Sequence, residues 1–371
     1  MKFSLISALI ILINLPSQAQ IDTVLYSFFV AGHTYGAPGV NNIGFHPPFK
    51  ELFWYIQGRP EIEFGILTGD IVSSFPIAQD WDEIDADIDT LGLPVYFAVG
   101  NHDMENRSLF ESRYGNTYYS FTYKDDLFIV LDPNIDAWSI SGLQLQFLHD
   151  LIDNNAPKSD NIYVFFHQIL WKEADNQFNY IFWNSDAGRG SLVNFWTEIE
   201  PIFRNLSNET IMFAGDLGAA WSTDGTYDSY DNITLISSGM GDSDGENFII
   251  VNVDTNKLVS YDLICLSDTN LNCMGALTDY LVVSELTSPT NSVGEPLYIY
   301  PNPIIDYITI HQELTRKTTF KLFDLLGKLI LIEELEERYK NTINVTHIPS
   351  GVYIATLFDE LNKSTVKLII E

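Results

Sequence analysis

Two cysteines in 371 residues exclude a disulfide-dense scaffold and a thiolate-rich metal cluster. Basic residues are scarce as well: 19 Lys and Arg stand against 50 Asp and Glu, a formal charge of −31. That balance disfavours nucleic acid and anionic membrane surfaces as partners, because both are repelled at long range. A small anionic substrate meets the same field, so a bound cation or local basic groups must reverse it inside a cleft. Past the amino terminus, no apolar run approaches the ~20 residues of a membrane-spanning helix, so no transmembrane segment is expected. What is abundant is apolar and aromatic content, 46% and 13%, the mark of a globular chain. Its length predicts two or three structural units.

The amino terminus reads as a signal peptide over 1–19: Met1-Lys2 supplies the positive start, Phe3 to Leu15 the apolar stretch, and Ser17-Gln18-Ala19 a small-x-small cleavage site. The mature protein is therefore expected outside the cytoplasm. In that setting Cys265 and Cys273 predict a disulfide closing a short loop, worth about 2–3 kcal/mol in the chain-entropy model. A zinc site is disfavoured by the spacing and the lack of a nearby histidine.

Short apolar runs punctuated by glycine organise the next 245 or so residues. Leu25–Val30, Glu63–Thr68, Pro94–Val99, Ile162–Phe166 and Ile211–Ala214 read as strands. Trp81–Leu91 and Gly142–Asn154 read as helices, the first from Trp81, Ile84 and Ile88, the second from Leu143, Phe147, Leu148, Leu151 and Ile152. Alternating strands and helices predict a layered α/β core, with a site along the carboxyl edge of the strands. Each strand runs into a polar motif: Gly32-His33, Gly69-Asp70, Gly100-Asn101-His102-Asp103, Phe166-His167 and Gly215-Asp216.

That ordered series resembles the calcineurin-like metallophosphoesterases from about Ile21 to Cys265. The resemblance implies a four-layer αββα sandwich and two divalent ions bridged by one carboxylate, which clamp the phosphate and activate the attacking water. By motif position Asp70 is the bridge. Asn101, His167 and Asp216, the last standing where the family has a histidine, complete one ion's ligands. The other ion is left with His33 and a shared Asp70, because Ala31 and Gly218 replace an expected aspartate and histidine. One divalent ion per chain is therefore expected. Two carboxylates, an amide and an imidazole suit Mn, Mg, Ca or Zn without choosing among them. His102 takes the general-acid role, oriented by Asp103 or another acidic group, with His33 as the second catalytic candidate.

Further candidates come from the residues themselves. Ala31–Phe49 is glycine-rich, polar and aromatic and must lie beside His33, so Tyr35, Asn41, Asn42 and His46 are candidate substrate contacts or replacement ligands. Arg189, within Gly188-Arg189-Gly190, offers a cation for a phosphate in an acidic domain. Asp224, Asp228, Asp231, Asp242 and Asp244 form acidic loops that do not complete an EF-hand pattern.

After Cys273 the composition turns to Ser, Thr, Pro and Gly, so 266–296 reads as a linker carrying the disulfide. From 297 to 371 alternating strands follow Tyr300-Pro301-Asn302-Pro303. Together with Asp324-Leu325-Leu326-Gly327-Lys328 and Ile348-Pro349-Ser350-Gly351-Val352-Tyr353 they resemble the C-terminal sorting domain of type IX secretion. The resemblance implies a small all-β sandwich, the type IX machinery as partner, and a secreted or surface location in a Gram-negative bacterium, reached through the periplasm. The expectation is an exported phosphoesterase acting on phosphomonoesters or phosphodiesters, including glycan phosphoesters, in residues 20–265. The alternative is a catalytically inactive fold that binds a ligand, glycan or protein at the same cleft.

Overall fold

A computed structural model describes residues 23–37, 43–174, 176–179, 181, 183–218, 225–241, 245–266, 271–280, 299–300, 304, 306–311, 318–324, 328–335, 340–358 and 363–370. The signal segment, Asn41 and Asn42, Asp224, Asp242 and Asp244, Pro301–Pro303 and Leu325–Gly327 lie outside the described residues.

The first domain contains strands β1 (Val24–Ala31), β2 (Ile62–Thr68), β3 (Val95–Ala98), β4 (Tyr119–Tyr123), β5 (Asp126–Val130), β6 (Asn161–Phe166), β7 (Glu209–Gly218), β8 (Thr226–Tyr230), β9 (Ile233–Met240), β10 (Asn247–Asp254) and β11 (Val259–Cys265). Its helices are α1 (Pro47–Glu51), α2 (Phe53–Gln57), α3 (Ala78–Leu91), α4 (Asn101–Met104), α5 (Arg107–Tyr114), α6 (Gly142–Asn155) and α7 (Glu200–Arg204). One sheet runs β11-β10-β1-β2-β3 and the other β4-β5-β6-β7-β9-β8. In the first sheet β1-β2 and β2-β3 are parallel and β1-β10 and β10-β11 antiparallel; in the second β5-β6, β6-β7 and β7-β9 are parallel and the two edge pairs antiparallel.

The strands are apolar on both faces because both faces are covered. In β1, Phe28 and Val30 enter the core between the sheets, while Phe29 and Ala31 face the layer of α1, α2, α3 and α5. The inter-sheet core is a lattice of rings: Phe28 stacks on Phe64 at 5.3 Å and meets Phe128 and Tyr163 edge-on at 5.3 and 5.1 Å. On the far side of the second sheet, Leu148 and Ile152 of α6 and Phe203 of α7 close a third core. Three apolar layers between four structural ones are the αββα sandwich.

Cys265 and Cys273 are bonded, with Cα atoms 5.9 Å apart. The chain then stays with the first domain, since Leu277 is buried in the inter-sheet core and Tyr280 packs on it. These contacts extend past Cys265, where the resemblance is read as ending. Leu266, Leu271 and Met274 of the same segment also pack on the first domain's cores.

The tail forms β12 (Ile299–Tyr300), β13 (Tyr307–His311), β14 (Thr318–Asp324), β15 (Leu329–Leu335), β16 (Lys340–Asn344), β17 (Gly351–Phe358) and β18 (Lys363–Ile370). They make sheets β12-β13-β16 and β15-β14-β17-β18 around a separate core that includes Ile308, Phe320, Leu322, Tyr353 and Leu368.

Asp228 of β8 shows how burial sets a pH dependence. Enclosed beside Gln177, whose Nε2 donates to it at 2.9 Å, its carboxyl is pushed up to about 6 by burial. The folded chain then holds a proton that the unfolded chain releases, so stability falls as pH rises from about 4 to about 6. Asp228→Asn should therefore raise stability on the order of 2 kcal/mol at pH 7.5 and leave it unchanged near pH 3.5, read by urea melts at both values.

Candidate active site

The site gathers where β1, β2, β3 and β6 end. His33 and Asp70 follow β1 and β2 in left-handed backbone, φ +57° and +49°, a conformation that β-carbons disfavour and that concentrates at functional sites. The His33 amide donates to Gly69 O at 3.0 Å, which locks the two turns together. Asn101 opens α4 directly after β3, and His167 follows β6.

Asp70 is the hub. Its Oδ1 accepts from the His102 amide at 3.1 Å. Its Oδ2 lies 3.4 Å from His167 Nε2 and 3.7 Å from Nε2 of both His33 and His102. Because His167 Nδ1 donates to the Thr68 carbonyl at 2.8 Å, a neutral His167 directs a lone pair at Nε2. That lone pair faces Asp70 Oδ2 and, at 3.6 Å, Asp216 Oδ1. Asp70 Oδ2, His167 Nε2 and both Asp216 carboxylate oxygens are buried without a hydrogen-bond partner.

Converging buried acceptors are costly unless a cation joins them. Burial and their mutual charges displace the proton affinities of these groups. Burial works to lower the His167 value, but Asp70 and Asp216 push it up to about 10. Burial, reinforced by Asp70, pushes Asp216 up to about 8. Asp70 itself is held below the usual carboxylate range, because His167, His102 and His33 outweigh its burial.

Asp216 reaches the cluster through a bulge rather than from a strand end. β7 continues to Gly218, and its register against β9 shifts between Ala214 and Leu217. The Gly215 and Asp216 amides both donate to His167 O, at 2.9 and 3.0 Å. A β-carbon on Gly215 would stand 2.0 Å from Thr68 O, so only glycine permits this approach of β7 to β2. The short aspartate is thus carried inward by its backbone.

His102 differs from the fully buried residues in keeping 21% of its side chain exposed. Ser74 Oγ lies 2.6 Å and Glu105 Oε1 3.5 Å from its Nδ1. Asp103, one of the acids expected to orient it, does something else: its carboxylate accepts from the amides of Ile71, Val72 and Gly100 at 2.9, 3.1 and 2.8 Å. It fixes the turn that presents Asp70, and Glu105 is the acid beside His102.

Tyr35 is buried in the site, its ring 4.4 Å from that of His33 and 5.4 Å from that of His102. His46 is not in it: Nε2 pairs with Glu246 Oε1 at 2.8 Å, a buried contact, and the same oxygen accepts from the Gly241 amide at 2.8 Å. Arg189 is held by Glu173 Oε2 at 2.7 Å and Lys172 O at 3.2 Å, over the rings of Trp138 and Trp183. Next to it Lys172, which composition did not single out, is pushed down to about 8 by burial and feels the Asp216 charge. Asn184 is the other residue that motif reading missed, and its Nδ2 stands 2.8 Å from His33 Nε2.

Residues 32–201 match the family model for calcineurin-like phosphoesterase, and residues 298–371 match that for a secretion system C-terminal sorting domain. Two segments of the chain are thus similar to known domains, the first to calcineurin-like phosphoesterases and the tail to type IX secretion sorting domains. No curated protein matches the chain. Among solved structures, a purple acid phosphatase from yellow lupin seeds, Lupinus luteus, aligns at 13% identity over 66% of this chain and 52% of that one, TM-score 0.47. The chain thus spans about half the length of the lupin enzyme. A DUF3244 family protein with an immunoglobulin-like β-sandwich fold, from Bacteroides vulgatus, aligns at 15% identity over 20% of this chain and 85% of that one, TM-score 0.19.

The phosphoesterase match takes in His33, Asp70, Asn101 and His167 and ends before Asp216. Phosphoesterases of this family imply divalent metal. Among the described residues, no group of three or more His, Cys, Asp or Glu side chains is arranged as a metal site. The set around Asp70 nonetheless has the donor chemistry a single cation requires, four buried unpartnered atoms of Asp70, His167 and Asp216, with His167 Nε2 3.4 Å from Asp70 Oδ2 and 3.6 Å from Asp216 Oδ1. The family's second position does not fit. Ala31 is buried among Phe29, Phe45, Leu67 and other apolar side chains, and Gly218 has φ +119° with its β-carbon position 2.2 Å from Met240 O.

Proposed function

We propose that this exported phosphoesterase domain holds one divalent ion on Asp70, Asn101, His167 and Asp216 and hydrolyses small phosphomonoesters or phosphodiesters. The observation that carries the reading is the convergence of Asp70 Oδ2, His167 Nε2 and the Asp216 carboxylate, all buried and unpartnered. A bound ion supplies a Lewis acid for the phosphoryl oxygens and lowers the pKa of an attacking water. The chain's own groups do the rest. Asp70 is oriented by the His102 amide and His167 by the Thr68 carbonyl, so the donor set is preorganised. His102, partly exposed beside Asp70, is placed to give a proton to the leaving oxygen from Nε2, with Ser74 and Glu105 steadying Nδ1. Lys172 and Arg189 oppose the acidic field on the Asp216 side.

Hydrolysis of aryl phosphomonoester and phosphodiester substrates, assayed with Mn²⁺ and with chelator, tests this. Activity that requires metal supports it, whereas a metal-loaded, folded protein inert on both substrates favours the ligand-binding alternative. His102→Ala should lower kcat about a hundredfold while metal content is unchanged. Loss of metal together with activity would move His102 from proton transfer to ligation.

The tail is proposed to be an address rather than part of the catalytic unit, since its core is separate and no site residue lies beyond Asp216. A chain ending after Tyr280, so that the Leu277 anchor is kept, should fold with unaltered activity and accumulate in the periplasm. Normal surface or medium levels of that truncation would refute the sorting role.

A further inference from the structure

We propose that Asn184 takes the place of a second metal ion: its amide caps His33 Nε2 and keeps this phosphoesterase a single-ion protein. The inference rests on the single-ion reading only for what it says about the count of ions. Its own basis is the hydrogen bonding of His33.

His33 is fully buried, and its Nδ1 lies 3.0 Å from the Met240 carbonyl. A carbonyl only accepts, so Nδ1 carries the proton, and Nε2 of the neutral ring is a lone pair directed at the cleft. Two groups meet that lone pair. Asp70 Oδ2, at 3.7 Å, is itself an acceptor and gives it no partner. Asn184 Nδ2, at 2.8 Å, is a donor and satisfies it. The amide therefore performs at His33 the electrostatic service that a cation performs between imidazole and carboxylate elsewhere in such sites.

Asn184 is positioned for this by two further contacts. Its own amide donates to Asp216 O at 3.2 Å, which ties the segment to the bulge of β7. Its side chain is hydrogen-bonded to Tyr35, whose ring lies against His33. His33, Tyr35 and Asn184 form one neutral cluster. Beside it, Asp70 Oδ2, His167 and Asp216 keep their donor atoms unpartnered. One half of the cleft is thus closed by protein hydrogen bonds and the other half is left open for an ion. The rest of the chain agrees with that division, because the backbone at Gly218 admits no side chain and Met240, its neighbour across β7 and β9, spends its carbonyl on His33.

The polarity of one side chain then sets the ion count. Asn184→Asp is nearly isosteric but exchanges the donor for a carboxylate. It creates three ligands, His33 Nε2, Asp70 Oδ2 and the new carboxylate, a number sufficient for a divalent site with water in the remaining positions.

The test has two arms. In wild-type protein with ¹⁵N-labelled histidine, titration with Zn²⁺ should shift the His167 Nε2 resonance and leave that of His33 in place. In Asn184→Asp, elemental analysis after dialysis against Zn²⁺ should rise from one ion per chain to two, and His33→Ala in that background should return it to one. A metal-dependent shift at His33 Nε2 in the wild type overturns the proposal, as does an unchanged count in folded Asn184→Asp. If that variant fails to fold, the wild-type titration decides alone. A wild-type protein that binds no ion, with an Asn184→Asp variant that gains one at His33, would sink the single-ion reading and leave the role of Asn184 standing.

Discussion

Replacing Asp70 by asparagine should remove the bound ion and slow hydrolysis on the order of a thousandfold, about 4 kcal/mol of barrier, without unfolding the protein. Every arrangement of the site passes through Asp70 Oδ2, which is within 3.7 Å of three histidine nitrogens and has no hydrogen-bond partner. The amide retains an oxygen for the His102 backbone N–H but offers no charge to His167. In chelator, where His167 is pushed up to about 10 and keeps its proton beside Asp70, the variant should melt lower than the parent, and it should lose the rise in Tm that metal gives the parent. Wild-type turnover in the metal-loaded variant would displace the site from Asp70.

Restoring the family's histidine at Gly218 should break the fold locally instead of rebuilding a second ion site. Gly218 has φ +119°, and a β-carbon there would sit 2.2 Å from Met240 O. Left-handed strain of about 1–3 kcal/mol and overpacking of about 1–3 kcal/mol make a loss of roughly 2–6 kcal/mol for Gly218→His, measurable by urea unfolding. Met240 O also accepts from His33, so the displacement should reach the site and reduce activity. A stable variant that gains an ion would show that β7 can reshape itself around the new side chain.

The sequence was most readable where one periodicity ran unbroken. The helix expected over Trp81–Leu91 is α3, Ala78–Leu91, and that over Gly142–Asn154 is α6, Gly142–Asn155. The apolar runs ahead of the glycine motifs are β1, β2, β3 and β6. Pairing between distant strands was not readable: β10 lies beside β1 in the first sheet, yet nothing in either segment names its partner. The same limit applied to the site. Local motifs marked Asp70, Asn101 and His167. The bulge that carries Asp216 depends on Gly215 meeting Thr68, and Asn184 meets His33 across 151 positions of chain. Asp103 has the opposite history: its motif position suggested an acid for His102, whereas three backbone amides claim its carboxylate. Local pattern reports which side chains are available, and tertiary contact decides which of their atoms remain unpaired.

A crystal of the protein grown with Mn²⁺ and measured at the manganese absorption edge tests the central claim most directly. One anomalous peak among Asp70 Oδ2, His167 Nε2 and the Asp216 carboxylate, with Asn184 still on His33 Nε2, is the predicted result. Two peaks, or a single peak on His33 with Asp216 unligated, would contradict it.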